Sequence, residues 1–295
     1  MNASKTKPLS PQLTTGASFL FVFFWATGFV SAKYGFPYAE PLTFLAMRFA
    51  IAIVVMGSLC LFVRASWPQS LSEAAHVLVS GWLVQTSYLI GVWYGIWLGV
   101  DTGVVALIVG LQPLLTGIIS AFLLSERVSR TQWIGLSLGF LGLASVVFEK
   151  INPTGSQSLG SLFCLGALIT ITVGTLYQKK FCSSVDIRTA VTLQNGGSLL
   201  LVLPLAFVFE SRAVIWSGDF LFALIWSAVG LSVIAIALLF LLIRNGAATK
   251  VTSMIYLSPP TTALMGWVLF DEKFSILALV GLGATVLGVA LASRE

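Results

Sequence analysis

Residues 103–147 read GVVALIVGLQPLLTGIISAFLLSERVSRTQWIGLSLGFLGLASVV, and residues 249–292 repeat the pattern as TKVTSMIYLSPPTTALMGWVLFDEKFSILALVGLGATVLGVALA. In both, an apolar run with a proline leads to a short charged turn and then to an apolar run with spaced glycines. Pro113 and Pro259 are 146 positions apart (259 − 113 = 146). The same separation relates Glu126 to Glu272, Gly135 to Gly281, Gly142 to Gly288, Gly28 to Gly174, Lys33 to Lys179, Glu40 to Asp186 and Thr43 to Thr189. The chain is therefore an internal duplication, which has to be recognised before any fold is assigned.

The composition indicates a protein whose outer surface faces hydrocarbon. Of its 295 residues, 57% are hydrophobic and only 9% are charged, and the mean hydropathy is +0.97. Soluble domains carry about 25% charged residues, so a soluble protein is excluded and the lipid bilayer is an expected partner. The basic residues behind the net charge of +5 are scattered between apolar runs and form no basic cluster, which argues against a nucleic-acid partner. The cysteines are expected to be small buried residues without disulfides or a metal: Cys60, Cys164 and Cys182.

Ten apolar runs approach or exceed the length of a membrane span. An α-helix needs about 20 mostly apolar residues to cross hydrocarbon, and such long runs differ from the alternating pattern of a β-barrel. The sequence therefore predicts an all-α integral membrane protein with ten transmembrane helices. Their expected positions are 15–35, 41–63, 74–98, 103–124, 131–148, 160–180, 187–209, 219–243, 249–270 and 275–293.

The charges between the spans predict their orientation. Eleven lysine and arginine residues fall on the side of the N-terminus and four on the other side, while Arg48 lies inside a span. By the positive-inside rule, both termini are predicted to be cytoplasmic. Each copy holds five spans, so the two copies would enter the membrane in opposite directions, as in secondary transporters. The predicted division is a disordered cytoplasmic tail at 1–14, a first five-helix repeat at 15–150, an external linker at 151–159 and a second five-helix repeat at 160–295.

Several segments resemble the EamA family of the drug/metabolite transporter superfamily. They are Phe24-Trp25-Ala26-Thr27-Gly28-Phe29 with Lys33, Pro41 with Met47-Arg48-Phe49-Ala50, Pro113, Ser125-Glu126-Arg127, Gln132-Trp133 with Gly135, Pro259 and Asp271-Glu272-Lys273. The resemblance covers nearly the whole chain. It implies a ten-helix bundle of two inverted five-helix repeats that exports small metabolites such as amino acids, without identifying the substrate.

Arg48 is the most informative single residue. It lies about seven residues, or ~10 Å, into a span that begins near Pro41. A charge at such depth costs roughly 2.5–3.5 kcal/mol on insertion scales, so it should face the bundle interior or a water-filled cavity. Two roles fit: a counter-ion for a substrate carboxylate or phosphate, or a structural contact with helix-end carbonyls or the membrane surface.

Polar and aromatic residues inside other spans are the remaining candidates for a substrate site. In the first copy, Trp25 and Gln112 join a stripe along the third span, since aromatic walls with a few polar groups are typical of small-molecule pockets. That stripe comprises Gln85, Tyr88 and Trp93. The candidates in the second copy are Thr175, Tyr177, Gln194, Asn195 and Tyr256, with Gln194 aligned to Arg48 by the repeat. The alternative for each is a hydrogen bond that joins two helices. Pro113 and Pro259 are expected to let their helices bend.

The residues that are missing from the spans also restrict the function. No aspartate or glutamate lies in the middle of a span, which disfavours an antiporter that exchanges a cation for protons. His76, the only histidine, is expected to be exposed near the membrane surface. Glu272 is expected to act locally beside Lys273, with gating as the alternative.

The sequence predicts an inner-membrane secondary transporter that exports a small organic solute by alternating access of two halves. No catalytic residue, metal or cofactor is expected, and the protein is expected to be a monomer or homodimer. An integral-membrane enzyme is an alternative, although HExxH motifs and His/Cys clusters are absent from the sequence. A passive channel or lipid scramblase on the same scaffold is a further alternative. The substrate and the coupling ion stay open.

Overall fold

The computed structural model describes residues 11–112, 155–235 and 257–292, with 115, 116, 119, 133–135, 137, 138, 141, 142 and 238 between them. These residues form helices joined by short turns. In chain order the helices are α1 Pro11–Gly35, α2 Pro41–Phe62, α3 Leu71–Trp97, α4 Thr102–Val109, α5 Ser156–Phe181, α6 Ile187–Phe209, α7 beginning at Gly218 and continuing to Ala235, α8 Ser258–Phe270 and α9 Ile276–Ala292.

Five of these helices are long and apolar enough to cross a membrane. They are Gly16–Gly35 within α1, Pro41–Phe62, Leu71–Trp97, Ser156–Phe181 and Ile187–Phe209. The predicted all-helical, multi-pass membrane architecture is thereby confirmed. The ten spans stay a prediction, because parts of the predicted spans at 103–124, 131–148, 219–243 and 249–270 lie outside the described residues. The cytoplasmic position of the termini also stays a prediction. Helix α5 starts at Ser156, inside the segment predicted to be the external linker.

Short polar side chains set where several helices begin. Ser70 Oγ accepts a hydrogen bond from Glu73 N (3.1 Å) at the start of α3. At the start of α6, Asp186 accepts one from Arg188 N (3.0 Å). Such caps satisfy backbone N–H groups that have no partner within the helix. The hydrogen bond from the Arg188 side chain also holds the pKa of the Asp186 carboxyl below its usual value.

Equivalent helices of the two copies pack side by side and antiparallel: α2 with α6, and α4 with α8. At one end of the bundle, called here the Glu272 end, a buried carboxylate joins the two helices of each pair through hydrogen bonds. Glu210, after α6, accepts hydrogen bonds from Leu42 N and Thr43 N (both 2.7 Å) at the start of α2. Glu272, after α8, accepts one from Thr102 N (2.9 Å) at the start of α4. Because the N-terminus of a helix favours negative charge, both carboxylates stabilise these joints.

The third helix of each copy contains a π-helical segment. It spans Trp82–Ser87 in α3 and Trp226–Ala235 in α7. A π-helical turn widens the helix and alters its backbone hydrogen bonds, and such turns occur frequently at functional sites. The two segments therefore indicate the region between α3 and α7 as a candidate functional site.

Aromatic packing fills the core beside that space. The rings of Phe44 and Trp93 lie with centroids 4.7 Å apart, Phe44 and Phe220 lie 5.3 Å apart, and Phe36 and Trp93 lie 5.6 Å apart. These contacts join α2, α3 and α7. The cysteines are buried and free, as the sequence predicts.

Close packing of α3 on α5 depends on Gly91. A Cβ atom there would lie 2.6 Å from Phe163 O and 2.8 Å from Ala167 Cβ. We expect Gly91→Ala to lower the free energy of unfolding by about 1–3 kcal/mol, because the two helices would have to separate. Thermal unfolding in detergent measures the effect. Gly166→Ala is the matched control, since a Cβ there meets no atom within 4 Å; equal unfolding temperatures for the two variants would contradict the packing argument.

Candidate functional site

A cavity of about 140 Å³ lies between helices of the two copies. The first copy contributes residues of α1, α2 and α3 to its wall, and the second contributes residues of α5, α6 and α7. The lining residues are Trp25, Gly28, Phe29, Arg48, Val84, Gln85, Tyr88, Leu89, Val92, Trp93, Ile171, Val191 and Leu231. The predicted candidates Trp25, Arg48, Gln85, Tyr88 and Trp93 thus meet around one cavity.

Arg48 is a buried cation in this wall, with 7% of its surface exposed. Its Nε donates a hydrogen bond to Ser227 O (3.1 Å), and this is the one hydrogen bond that it makes within the described part of the chain. Its guanidinium lies 5.9 Å from the ring centroids of Phe49 and Trp93. Of the structural contacts that the sequence left open for Arg48, the side chain makes one with a main-chain carbonyl and none with the membrane surface, because it stays inside the bundle. Its role as a counter-ion for a substrate stays a prediction.

The carbonyl that holds Arg48 belongs to a π-helical segment. Ser227 lies in Trp226–Ala235, and Val84 and Gln85 of the cavity wall lie in the matching segment Trp82–Ser87. The altered backbone hydrogen bonds of a π-helix make a carbonyl oxygen available inside the bundle. Both π-helical segments therefore contribute directly to the site.

Trp93 and Trp25 give the cavity two different aromatic surfaces. Trp93 is 2% exposed and is fixed by Phe36 and Phe44. Trp25 is 38% exposed and has its ring centroid 5.8 Å from that of Phe21. Gln85 and Tyr88 add an amide and a hydroxyl from α3. The arrangement combines apolar walls, two polar groups and one cation, and it suits a small amphipathic molecule.

Other predicted site residues join helices and do not line the cavity. Gln112 Nε2 donates to Thr175 Oγ1 (2.9 Å), which connects the segment after α4 with α5. Gln194 is buried and donates from Nε2 to Ser80 Oγ (2.9 Å). Asn195 Nδ2 donates to Val191 O (2.7 Å) within α6. The contacts of Gln112 and Gln194 match the alternative that such side chains bond neighbouring helices, whereas the contact of Asn195 stays within its own helix.

Tyr177 lies beside His76, at the end of the bundle opposite to the Glu272 end. The Tyr177 hydroxyl is 2.7 Å from His76 Nδ1, and the imidazole stacks on Phe181 with centroids 4.6 Å apart. The expectation that His76 is an exposed surface residue is therefore wrong, because these contacts half-bury the ring. Pro259 lies in the first turn of α8, where proline fits a helix. The candidates outside the described residues are Pro113 and Tyr256.

The Glu272 end contains polar contacts that the sequence does not predict. Lys33 Nζ lies 2.7 Å from Glu272 Oε1, so a lysine of α1 pairs with a carboxylate after α8. Glu272 is 4% exposed and also accepts from Thr102 Oγ1 (3.0 Å). Glu272 is expected from the sequence to act locally beside Lys273, but it forms a contact between the two copies instead. The repeat could have indicated this residue, but its partners are distant in sequence.

The comparisons with known proteins agree with this architecture. A model described as the EamA-like transporter family matches residues 14–148 and again residues 158–294. The uncharacterized transporter YvbV of Bacillus subtilis (strain 168) is 28% identical over 282 residues, with 93% of this chain and 89% of that protein covered. The uncharacterized inner membrane transporter YedA of Escherichia coli (strain K12) is 22% identical, with 94% of this chain and 89% of that protein covered.

A solved crystal structure has the same fold. It superposes with a TM-score of 0.66 at 19% identity, and the match covers 96% of this chain and 98% of that one. At this identity the likeness concerns the fold alone. It supports the placement of the helices that surround the cavity.

Proposed function

Because the chain belongs to the EamA-like transporter family, we propose that it is a secondary transporter that exports a small organic metabolite across the inner membrane. The proposed substrates are amino acids or related compounds. The family and the similar proteins are transporters and not enzymes, so the alternative of an integral-membrane enzyme is set aside. The proposed location draws on the description of YedA as an inner membrane transporter.

The cavity between the two copies is the observation that carries this proposal. Secondary transporters with inverted repeats bind their substrates near the middle of the bilayer, at the interface between the repeats. Here the wall takes residues from both copies, and the one arginine among its described residues lies inside the bundle. A substrate bound there would contact both halves at once.

Polar contacts between the two copies at both ends of the bundle support the proposal of alternating access. At the Glu272 end, Lys33 pairs with Glu272 (2.7 Å). At the other end, Thr189 Oγ1 donates to Ser66 O (2.9 Å). Polar contacts of this kind can form in one conformation and break in another, which would open the cavity to one side at a time. The proposed division of the chain is a five-helix repeat at 15–150, a linker at 151–159 and a second five-helix repeat at 160–295. Helix bending is proposed at Pro113 and Pro259. The protein is proposed to act as a monomer or homodimer and to bind no nucleic acid.

Flux measurements with purified protein test the proposal. A thermal-shift screen against amino acids, nucleobases, amines and carboxylates selects a ligand, and that ligand, radiolabelled, is followed in proteoliposomes. We expect flux that saturates with concentration, and faster efflux of the ligand from cells that overproduce the protein. Flux that rises linearly with concentration would indicate the channel or scramblase alternative, and flux equal to that of empty liposomes would refute the proposal.

A further inference from the structure

The charge of the cavity restricts the class of substrate. Among the described lining residues, Arg48 is the one charged group, and no carboxylate of the described chain forms an ion pair with it. In the sequence, every aspartate and glutamate falls at the end of a span or in a loop. A buried cation without a counter-ion is costly in a bilayer, so a bound anion would remove part of that cost.

The hydrogen bonding of Arg48 leaves one edge of the guanidinium for a ligand. Nε is taken by Ser227 O (3.1 Å), while Nη1 and Nη2 have no hydrogen-bond partner within the part of the chain that the structure describes. Both nitrogens keep some accessible surface, since they do not belong to the buried polar atoms without a partner. A ligand in the cavity can therefore reach them. The aromatic rings of Phe49 and Trp93 hold the group in place. Two parallel N–H donors match the two oxygens of a carboxylate.

The rest of the wall favours one negative charge and an apolar body. A phosphate monoester carries close to two charges at neutral pH and three acceptor oxygens, and a single guanidinium neutralises only one charge. Beyond Arg48 the wall is mostly aliphatic and aromatic, as at Val84, Val92 and Ile171. A cavity of about 140 Å³ limits the occupant to a small molecule.

We propose that the cavity binds a small organic monocarboxylate, with its carboxylate on Nη1 and Nη2 of Arg48 and its apolar body among the walls of α3, α5 and α7. This inference rests on the proposed transport function and moves its substrate class from amino acids to related acids that lack the ammonium group. An ammonium group finds no carboxylate among the described lining residues, and Arg48 repels it. Amines are therefore excluded, and an amino acid binds more weakly than the acid that lacks its ammonium group.

Calorimetric titration of the purified protein with matched ligands tests the inference. The ligands are 3-phenylpropionate, phenylalanine, phenethylamine and phenyl phosphate, which share an aromatic ring and differ in their charged groups. Binding is preferred to flux here, because weak acids cross lipid without a carrier. We expect 3-phenylpropionate to bind at least about tenfold more tightly than the other three, each tenfold being about 1.4 kcal/mol. Equal or tighter binding of the amine, the amino acid or the phosphate overturns the monocarboxylate assignment, as does the absence of binding by all four.

Variants of Arg48 show whether the guanidinium carries the preference. Arg48→Gln is expected to weaken binding of 3-phenylpropionate at least about tenfold, and Arg48→Lys to keep part of it, because lysine retains the charge but loses the paired donors. Gly28→Leu controls for partition into the detergent micelle, since it fills the cavity and leaves the micelle unchanged. If folded Arg48→Gln binds 3-phenylpropionate as tightly as the wild type does, the inference is overturned. It is also overturned if the wild type binds 3-phenylpropionate and phenethylamine equally well.

The two proposals fail in different ways. Binding of 3-phenylpropionate that depends on Arg48, without saturable flux of that acid in proteoliposomes, would refute transport while supporting the anion site. Saturable flux of phenylalanine, without binding of 3-phenylpropionate, would refute the anion site while supporting transport.

Discussion

Replacing Gly28 by leucine is expected to reduce saturable transport by about tenfold or more without unfolding the protein. Gly28 lies in the cavity wall, and a Cβ there would be 3.3 Å from Leu231 Cδ1. The rest of a leucine side chain would have to occupy the cavity, because the surrounding helices are closely packed. The measurement is the rate of saturable flux in proteoliposomes at matched protein content.

Gly166→Leu is the control for the Gly28 variant. Gly166 lies on α5, and a Cβ there meets nothing within 4 Å. The same change in side chain then alters the surface of the bundle and leaves the central cavity open. Equal transport by wild type and Gly28→Leu would show that the substrate does not pass through this cavity.

Glu210→Ala is expected to lower the free energy of unfolding by about 3 kcal/mol, because it removes a helix cap and strands buried donors. Glu210 is 8% exposed and accepts from Leu42 N, Thr43 N, Thr43 Oγ1 and the Tyr94 hydroxyl, at 2.7–3.1 Å. Without the carboxylate, the start of α2 and a hydroxyl of α3 lose their partner. Thermal unfolding in detergent measures the change.

A second carboxylate at the same end of the bundle provides the comparison. Glu40 is partly exposed and accepts from Ser211 N (2.8 Å) and from the hydroxyl of the exposed Ser211. Water can replace the Glu40 carboxylate there, so Glu40→Ala is expected to cost less than about 1 kcal/mol. If the two alanine variants unfolded at the same temperature, the buried cap at Glu210 would not stabilise the joint between α2 and α6.

The sequence predicts those residues of the site that differ in polarity from the apolar span around them. Arg48, Trp25 and Tyr88 stand out because charged and polar groups are costly inside an apolar span, and these three do line the cavity. Gln194 aligns with Arg48 by the repeat, yet it bonds Ser80. The repeat predicts equivalent positions, but the different side chains of the two copies decide which position contacts a ligand.

Two features of the site depend on information that a single sequence does not carry. The carbonyl of Ser227 meets Arg48 inside a π-helical segment, and such a segment has no residue signature comparable to a cap or a proline. The contacts of Glu272 with Lys33 and Thr102 join residues that are far apart along the chain. Helix packing creates these contacts, so they emerge only with the tertiary fold.

Stimulation of flux by substrate on the opposite side of the membrane tests the central claim most directly. Proteoliposomes are loaded with a radiolabelled ligand of the protein, and efflux is followed with and without the same unlabelled ligand outside. If the cavity between the two copies opens to one side at a time, external ligand should accelerate efflux in wild type and in Gly166→Leu, but not in Gly28→Leu. Efflux that is equally fast with and without external ligand in the wild type would contradict a carrier that works by alternating access.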